Sequence, residues 1–246
     1  MNIVITGSTK GLGFALAKNF IKDKSNKVIC SGRDPKFLNK LQKKFTSRLF
    51  FHQGDLSIER DLINFEKYVH EKFNKIDVLI HSLGGGLGFK EPLLKKIEFE
   101  KLFNINIGIA AEVNRSLNLK MKKNSSIIMV GSTASLQAIG SVGYNTIKSS
   151  ILAYVKSLAI NLFEKKIYVY SILPGAFEGY GNAFNRLKIT NPKAYNDFKN
   201  YKTFQRKINN VNDYFPIIEF LISKNARLLN GSSLNVDALE TNTYHI

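Results

Sequence analysis

The chain has one cysteine, Cys30, so no intrachain disulfide can form, and a reducing cytoplasm is the expected setting. No apolar run approaches the roughly 20 residues that cross a bilayer, so no membrane partner is expected. Met1 to Thr6 is too short, and too soon followed by Lys10, to read as a signal peptide. Internal repeats and low-complexity tracts are missing too, and 246 residues suit one α/β domain spanning 1–246. Acidic side chains are scarce, 19 against 36 Lys and Arg, for a net charge of +17. Such an excess can serve nucleic acid or an anionic membrane. Here the bases are scattered through most expected helices, without an arginine-rich arm or the interleaved aromatic stripe of a single-strand-binding groove. No nucleic-acid partner and no metal site are therefore expected. The charge keeps one use, steering an acidic substrate.

What is present is punctuated by glycine. Asn2 to Thr6 is an apolar β-branched run, followed by Gly7-Ser8-Thr9-Lys10-Gly11-Leu12-Gly13 and an amphipathic helix through Phe14, Leu16, Ala17, Phe20 and Ile21. Strand, glycine turn and helix start make a dinucleotide-binding unit in this order. Glycine lets the backbone approach a pyrophosphate, whose charge is stabilised by the free N–H groups and dipole of the helix start. Lys27 to Ser31 reads as a second strand ending in Gly32-Arg33-Asp34. An acid at this place suits the ribose 2′-hydroxyl of NAD, an arginine the 2′-phosphate of NADP. Arg33, with Lys10 as a second cation, predicts NADP(H) in preference to NAD(H), although Asp34 is adjacent. A helix over Lys36 to Phe45 and a strand over Arg48 to Gln53 lead to Gly54-Asp55-Leu56, where Asp55 can meet the adenine or cap the helix starting near Ile58. That helix runs to about Phe73, and the strand Val78 to Ile80 ends in His81-Ser82-Leu83-Gly84-Gly85-Gly86. Small residues there let a ring or ribose pack on the backbone.

Phe99 to Leu119 reads as a long helix carrying Asn104 and Asn106, and the strand Ile127 to Val130 ends in Gly131-Ser132-Thr133. After a loop, Ala134 to Gly140, a helix from Ser141 to Phe163 places Tyr144 and Lys148 one turn apart. With Ser132 close by, they form a proton-transfer site facing whatever the glycines hold. The sixth strand, Ile167 to Leu173, ends in Pro174-Gly175. Alternating strands and helices imply a parallel sheet with helices on both faces. The pattern breaks at Phe177 to Lys207, which is polar, aromatic and basic, with Lys188, Lys193, Lys199, Lys202, Arg206 and Lys207. It has too few aliphatics to be core, so 178–207 is expected to be a substrate lid. Val211 to Ser223 returns to helical periodicity, and Ser233 to Val236 gives a last strand.

Together, in this order, these residues resemble the short-chain dehydrogenase/reductase superfamily, over nearly the whole chain. Its TGxxxGxG motif stands as Thr6 to Gly13, its strand-three acid as Asp55, its YxxxK as Tyr144 and Lys148, and its serine as Ser132. The helix asparagine matches Asn106 after Phe103, and the PG motif is Pro174-Gly175. The resemblance implies a Rossmann-like, doubly wound parallel sheet in a single domain with a helical substrate lid. It also implies reversible NADPH-dependent reduction of a small-molecule ketone or aldehyde to an alcohol. Ser132 would bind the carbonyl and Tyr144 would donate the proton. Lys148, together with the positive charge of the oxidised nicotinamide, would lower the phenol's pKa from about 10, and Lys148 would hold the nicotinamide ribose. Asn106 would hold a relay water. Cofactor contacts would come from Gly7, Thr9, Lys10, Gly11, Leu12, Gly13, Arg33, Asp55, Leu56, Ser82, Gly84, Tyr144, Lys148, Pro174 and Gly175. A homodimer or homotetramer is implied, packed through the helices carrying Asn106 and Tyr144. The basic lid points to an acidic substrate such as an acyl-carrier thioester, a sugar acid or a nucleotide sugar. The alternative is a non-catalytic NADP(H)-sensing protein on the same fold.

Three departures stand out. His81-Ser82-Leu83-Gly84 replaces NNAG and is similar to enoyl-acyl-carrier-protein reductases, although the Tyr144–Lys148 spacing fits carbonyl reduction, and His81 is read as structural. Gly179 replaces a threonine after PG, and Asp237-Ala238-Leu239 replaces DGG, so the tail to Ile246 has no template.

Overall fold

The computed structural model describes residues 1–36, 38–45, 47–203 and 206–243. Of the expected features, Phe37 in the second helix, positions 204 and 205 of the lid and the tail end 244–246 lie outside them.

Seven strands form one sheet: β1 (Asn2–Thr6), β2 (Lys27–Gly32), β3 (Leu49–Gln53), β4 (Ile76–His81), β5 (Met121–Val130), β6 (Ile167–Pro174) and β9 (Ser233–Val236). Their order is β3-β2-β1-β4-β5-β6-β9, with every pairing parallel. Strands covered on both faces need apolar residues at every position. Ile3, Ile5, Val28, Cys30, Val78 and Ile80 face one core, and Val4, Ile29, Leu79, Ile127 and Met129 face the other. The first core packs on α1 (Gly11–Phe20) and α9 (Phe215–Leu221). The second packs on α3 (Glu59–Lys72), α5 (Ile109–Leu117) and α6 (Val142–Leu162).

The chain winds outward through β1, β2 and β3, then returns to set β4 on the other side of β1, with Thr6 opposite His81. This is the topological switch point at which such sheets bind ligands. It brings the Gly7 turn and the Ser82–Gly86 turn side by side.

The remaining elements correct several expected boundaries. The second helix, α2, is Leu38–Lys44. The single helix expected over 99–119 is α4 (Lys96–Phe103), a π-helical turn (Asn104–Gly108) and then α5. β5 begins at Met121 rather than Ile127, because its first residues, Lys122 to Asn124, are polar and carry no apolar signal. A register shift opposite Ile76 and Val78, with Asn124 at φ 69°, marks the join. The 177–210 stretch folds as β7 (Phe177–Glu178), α7 (Ala183–Thr190), α8 (Pro192–Lys202) and β8 (Asn209–Asn210), with β7 and β8 paired in parallel. It has a small core after all, made mainly of rings: Ala176, Tyr195 and Ile208 are buried against Phe184, Leu187 and Phe198. Among the described residues no helix is long and apolar enough to cross a membrane.

Candidate active site

The cradle at the end of β1 is built by steric exclusion. Gly7 has φ +68°, and a methyl there would lie 2.8 Å from the Leu83 backbone. A methyl on Gly13 would lie 2.5 Å from the Gly7 carbonyl oxygen, so only glycine lets α1 start this close to the turn. The Ser8 hydroxyl donates to the Ile5 and Ser31 carbonyls at 2.9 and 3.2 Å, pinning the turn to β1 and β2. No acidic residue occupies the first turn of α1, whose N–H end is aimed at the switch point. A backbone cradle without room for side chains, at a helix N-terminus, fits the pyrophosphate of a dinucleotide. One of its amides, Gly11 N–H, donates to the Tyr180 carbonyl at 2.7 Å, so the 178–207 segment roots directly on the cradle.

At the end of β2, the two expected cations each meet a carboxylate. Arg33 lies 3.3 Å from Asp55, and Lys10 lies 3.8 Å from Asp34. Asp55 also accepts from the Ser57 N–H and hydroxyl at 3.0 and 2.7 Å, so it caps the turn that precedes α3. These hydrogen bonds and the Arg33 charge outweigh the effect of burial and hold the Asp55 carboxyl below its usual pKa. Leu56 beside it is buried. Thr9 is wedged against β2, since a methyl on Gly32 would lie 2.5 Å from Thr9 Cγ2.

The third cluster gathers Ser132, Tyr144, Lys148 and Asn106. Two residues beyond the end of β5 lies Ser132, whose hydroxyl accepts from Ala134 N–H at 3.2 Å and hydrogen-bonds the Tyr144 phenol. Lys148 is buried, donates to the Val130 carbonyl at 3.2 Å, and places Nζ 5.7 Å from the Tyr144 ring centroid. Burial lowers its pKa from 10.5 to about 8. Burial also raises the Tyr144 phenol above its ordinary value, and the Ser132 hydrogen bond offsets only part of this. Burial thus works against the phenolate, and the Ser132 side chain works for it. The Lys148 ammonium is desolvated and lies 5.7 Å from the ring centroid.

Asn106 is fastened to the β4 turn and to its own helix. Its amide donates to the Leu102 and Gly85 carbonyls at 2.9 and 3.0 Å and accepts from Gly85 N–H at 3.0 Å. Both amide hydrogens are used by the protein rather than offered to a water. A methyl on Gly84 would lie 2.7 Å from Asn106 Oδ1 and 3.2 Å from Lys148 Nζ, so this glycine lets the β4 turn meet both. Gly86 and Gly140 border the Tyr144 ring, and Asn145 holds Gly140 by paired hydrogen bonds. The extra glycines after Gly84 and the asparagine next to Tyr144 were the available sequence signals for this arrangement.

The departures resolve locally. His81 is buried, and its Nε2 lies 2.9 Å from Asn114 Oδ1, whose amide donates to Tyr154 OH at 2.9 Å. Burial lowers the His81 pKa to about 4, so the ring is neutral and structural, tying β4 to α5 and α6. A methyl on Gly179 would lie 3.1 Å from Val211 Cβ and 3.4 Å from Gly11 Cα, so a threonine there would need Val211 to give by a few tenths of an ångström. Ala238 and Leu239 adopt φ 52° and 65°, the left-handed region that a Gly-Gly pair enters freely. The buried Asp237 carboxylate compensates by accepting from Leu239 N–H, Thr241 N–H, Thr241 OH and Asn235 Nδ2. Gly175 packs on this tail, where a methyl would lie 2.9 Å from Asp237 Cβ. Among the described residues no group of three or more metal-ligating side chains is assembled.

With this geometry in place, comparison with known proteins is specific. A family model described as short chain dehydrogenase matches residues 1–187. The Homo sapiens protein dehydrogenase/reductase SDR family member 2, mitochondrial, is 27% identical over 251 residues, covering 97% of this chain and 85% of that protein. A 3-oxoacyl-acyl-carrier-protein reductase of Buchnera aphidicola is 24% identical, covering 95% of this chain and 94% of its own. Among solved structures, L-sorbose reductase from Gluconobacter frateurii, complexed with NADPH and L-sorbose, aligns with a TM-score of 0.87 at 21% identity. That alignment covers 99% of this chain and 97% of the other.

Proposed function

Because the chain belongs to the short-chain dehydrogenase/reductase family of oxidoreductases, we propose that it is an NADPH-dependent reductase of a ketone or aldehyde, reversible toward the alcohol. The observation that carries this reading is the contact of the Ser132 hydroxyl with the Tyr144 phenol, one helical turn from Lys148 and beside the glycine cradle. When bound, the dinucleotide supplies the hydride and, once oxidised, a positive charge beside the phenol. Ser132 Oγ holds the carbonyl oxygen, and Tyr144 passes its phenolic proton to that oxygen as the carbon is reduced. Lys148 Nζ stabilises the phenolate and holds the ribose. Asn106 acts by fastening the Gly84–Gly86 turn against Lys148.

Arg33 and Lys10 support a preference for the 2′-phosphate. Their ion pairs with Asp55 and Asp34 are solvent-exposed, and such pairs contribute at most about 1 kcal/mol, so a phosphate can replace the carboxylates. Arg33→Ala is expected to raise KM for NADPH about tenfold or more while leaving KM for NADH nearly unchanged. Equal effects on the two would remove Arg33 as the 2′-phosphate ligand. The 178–207 segment is proposed as the substrate lid in a single-domain protein. Its exposed Lys193, Lys202, Arg206 and Lys207 support an acidic substrate such as an acyl-carrier thioester, a sugar acid or a nucleotide sugar. Exposed Phe103 on α4 and Ile160 on α6 support a homodimer or homotetramer built through these helices.

A further inference from the structure

The Tyr144 ring is bordered by glycine on opposite edges. A methyl on Gly86 would lie 3.5 Å from Cδ2, and a methyl on Gly140 would lie 2.9 Å from Cδ1. An asparagine fastens each of these glycine turns. Gly85, next to Gly86, exchanges two hydrogen bonds with Asn106, N–H to Oδ1 and Nδ2 to the carbonyl, each 3.0 Å. Gly140 exchanges the same pair with Asn145, at 2.9 and 3.1 Å. A side-chain amide that satisfies both the donor and the acceptor of one residue fixes distance and plane together, because both bonds need good geometry at once.

Asn106 reaches its turn from the π-helical stretch that ends α4, whereas Asn145 is the residue next to Tyr144 on α6. It ties the end of the 134–140 loop back to the helix that carries the phenol. Gly140 is not in the left-handed backbone region, unlike Gly7. What excludes a side chain there is the Tyr144 ring and the Asn145 oxygen, which a methyl would approach to 2.8 Å.

We propose that Asn145 is a positioning residue for Tyr144: by holding Gly140 against the ring edge opposite Gly86, it fixes the phenol on Ser132 and in register with Lys148. This rests on Tyr144 being the proton donor. A reacting group displaced by about 1 Å loses on the order of 100-fold in rate.

The test uses the full-length protein with 13C-labelled tyrosine, in which the Tyr144 signals are identified by their loss in Tyr144→Phe. The wild type should show separate resonances for the two ring edges. Asn145→Ala should average them through ring flips and lower kcat about 10- to 100-fold, with KM for the dinucleotide within about twofold. Gly140→Ala, which presses on the ring without straining the backbone, should lower kcat to a similar degree with the same unchanged KM. Averaged edges in the wild type, edges that stay separate in Asn145→Ala, or wild-type kcat in either variant would overturn the positioning role. Full turnover in Tyr144→Phe would instead remove the proton-donor reading beneath it.

Discussion

Around Tyr144 the ring edges are bordered by Gly86 and Gly140 in turns fastened by asparagine amides, whereas the 178–207 segment is held by charge and aromatic rings near solvent. Gly7, Gly84 and Gly140 leave no room for a methyl, and Lys148 is stripped of water. In the segment, Glu178 binds Lys188 at 3.0 Å and accepts the Tyr195 hydroxyl, with half of the Lys188 side chain exposed. The first region tolerates almost no change of shape. The second can exchange side chains at small expense. On the proposed function, the hydride-transfer chemistry belongs to the former and the choice of substrate to the latter.

The largest expected effect that separates the two regions comes from Lys148→Met. Losing the ammonium should reduce turnover by about 100-fold or more, in the range typical of acid–base groups. Yet the same change should stabilise the fold. The folded pKa of about 8 lies below the ordinary 10.5, so at neutral pH the unfolded chain holds this proton more tightly. The shift corresponds to about 3 kcal/mol of destabilisation below pH 8, fading as pH rises toward 10.5. Chemical denaturation at neutral pH should show the variant more stable, and a less stable variant would mean that Lys148 is not desolvated.

A second contrast is the response to acid. His81 is neutral in the fold, with a pKa near 4 against 6.5 unfolded. Its contribution is complete above pH 6.5 and is lost as pH falls toward 4, about 3 kcal/mol in all. Denaturation of wild type and His81→Asn across this window should show a much shallower acid loss in the variant.

The smallest effect belongs to the segment. Glu178→Gln should cost about 1 kcal/mol or less, because the ion pair is partly exposed and glutamine can still accept from Tyr195. A melting curve shifted far beyond this would show that the segment is as tightly built as the Tyr144 corner.

Much of the first region was legible in sequence, because steric exclusion selects one residue type and leaves a mark. Gly7, Gly13 and Gly84 announced close approaches, and apolar strand runs announced burial on both faces. The Tyr144–Lys148 spacing placed both side chains on one helix face. What was not legible depends on partners far along the chain. The π turn at 104–108 coincides with Asn106 bonding back to Leu102 and across to Gly85. Lys122 to Asn124 lie in β5 between Met121, paired with Ile76, and Ser126, paired with Val78, and carry no apolar signal. The 178–207 segment lacked aliphatics, yet Tyr195, Phe184 and Phe198 make its core. The desolvation of Lys148 and of the phenol emerges only when β4, β5 and α6 are assembled.

The most direct measurement is carbonyl reduction by Tyr144→Phe, with NADPH affinity titrated separately. The phenylalanine keeps the ring between Gly86 and Gly140 and removes only the hydroxyl, so kcat should fall by about 100-fold or more while the Kd for NADPH stays unchanged. Wild-type turnover in this variant would contradict the assignment of Tyr144 as proton donor.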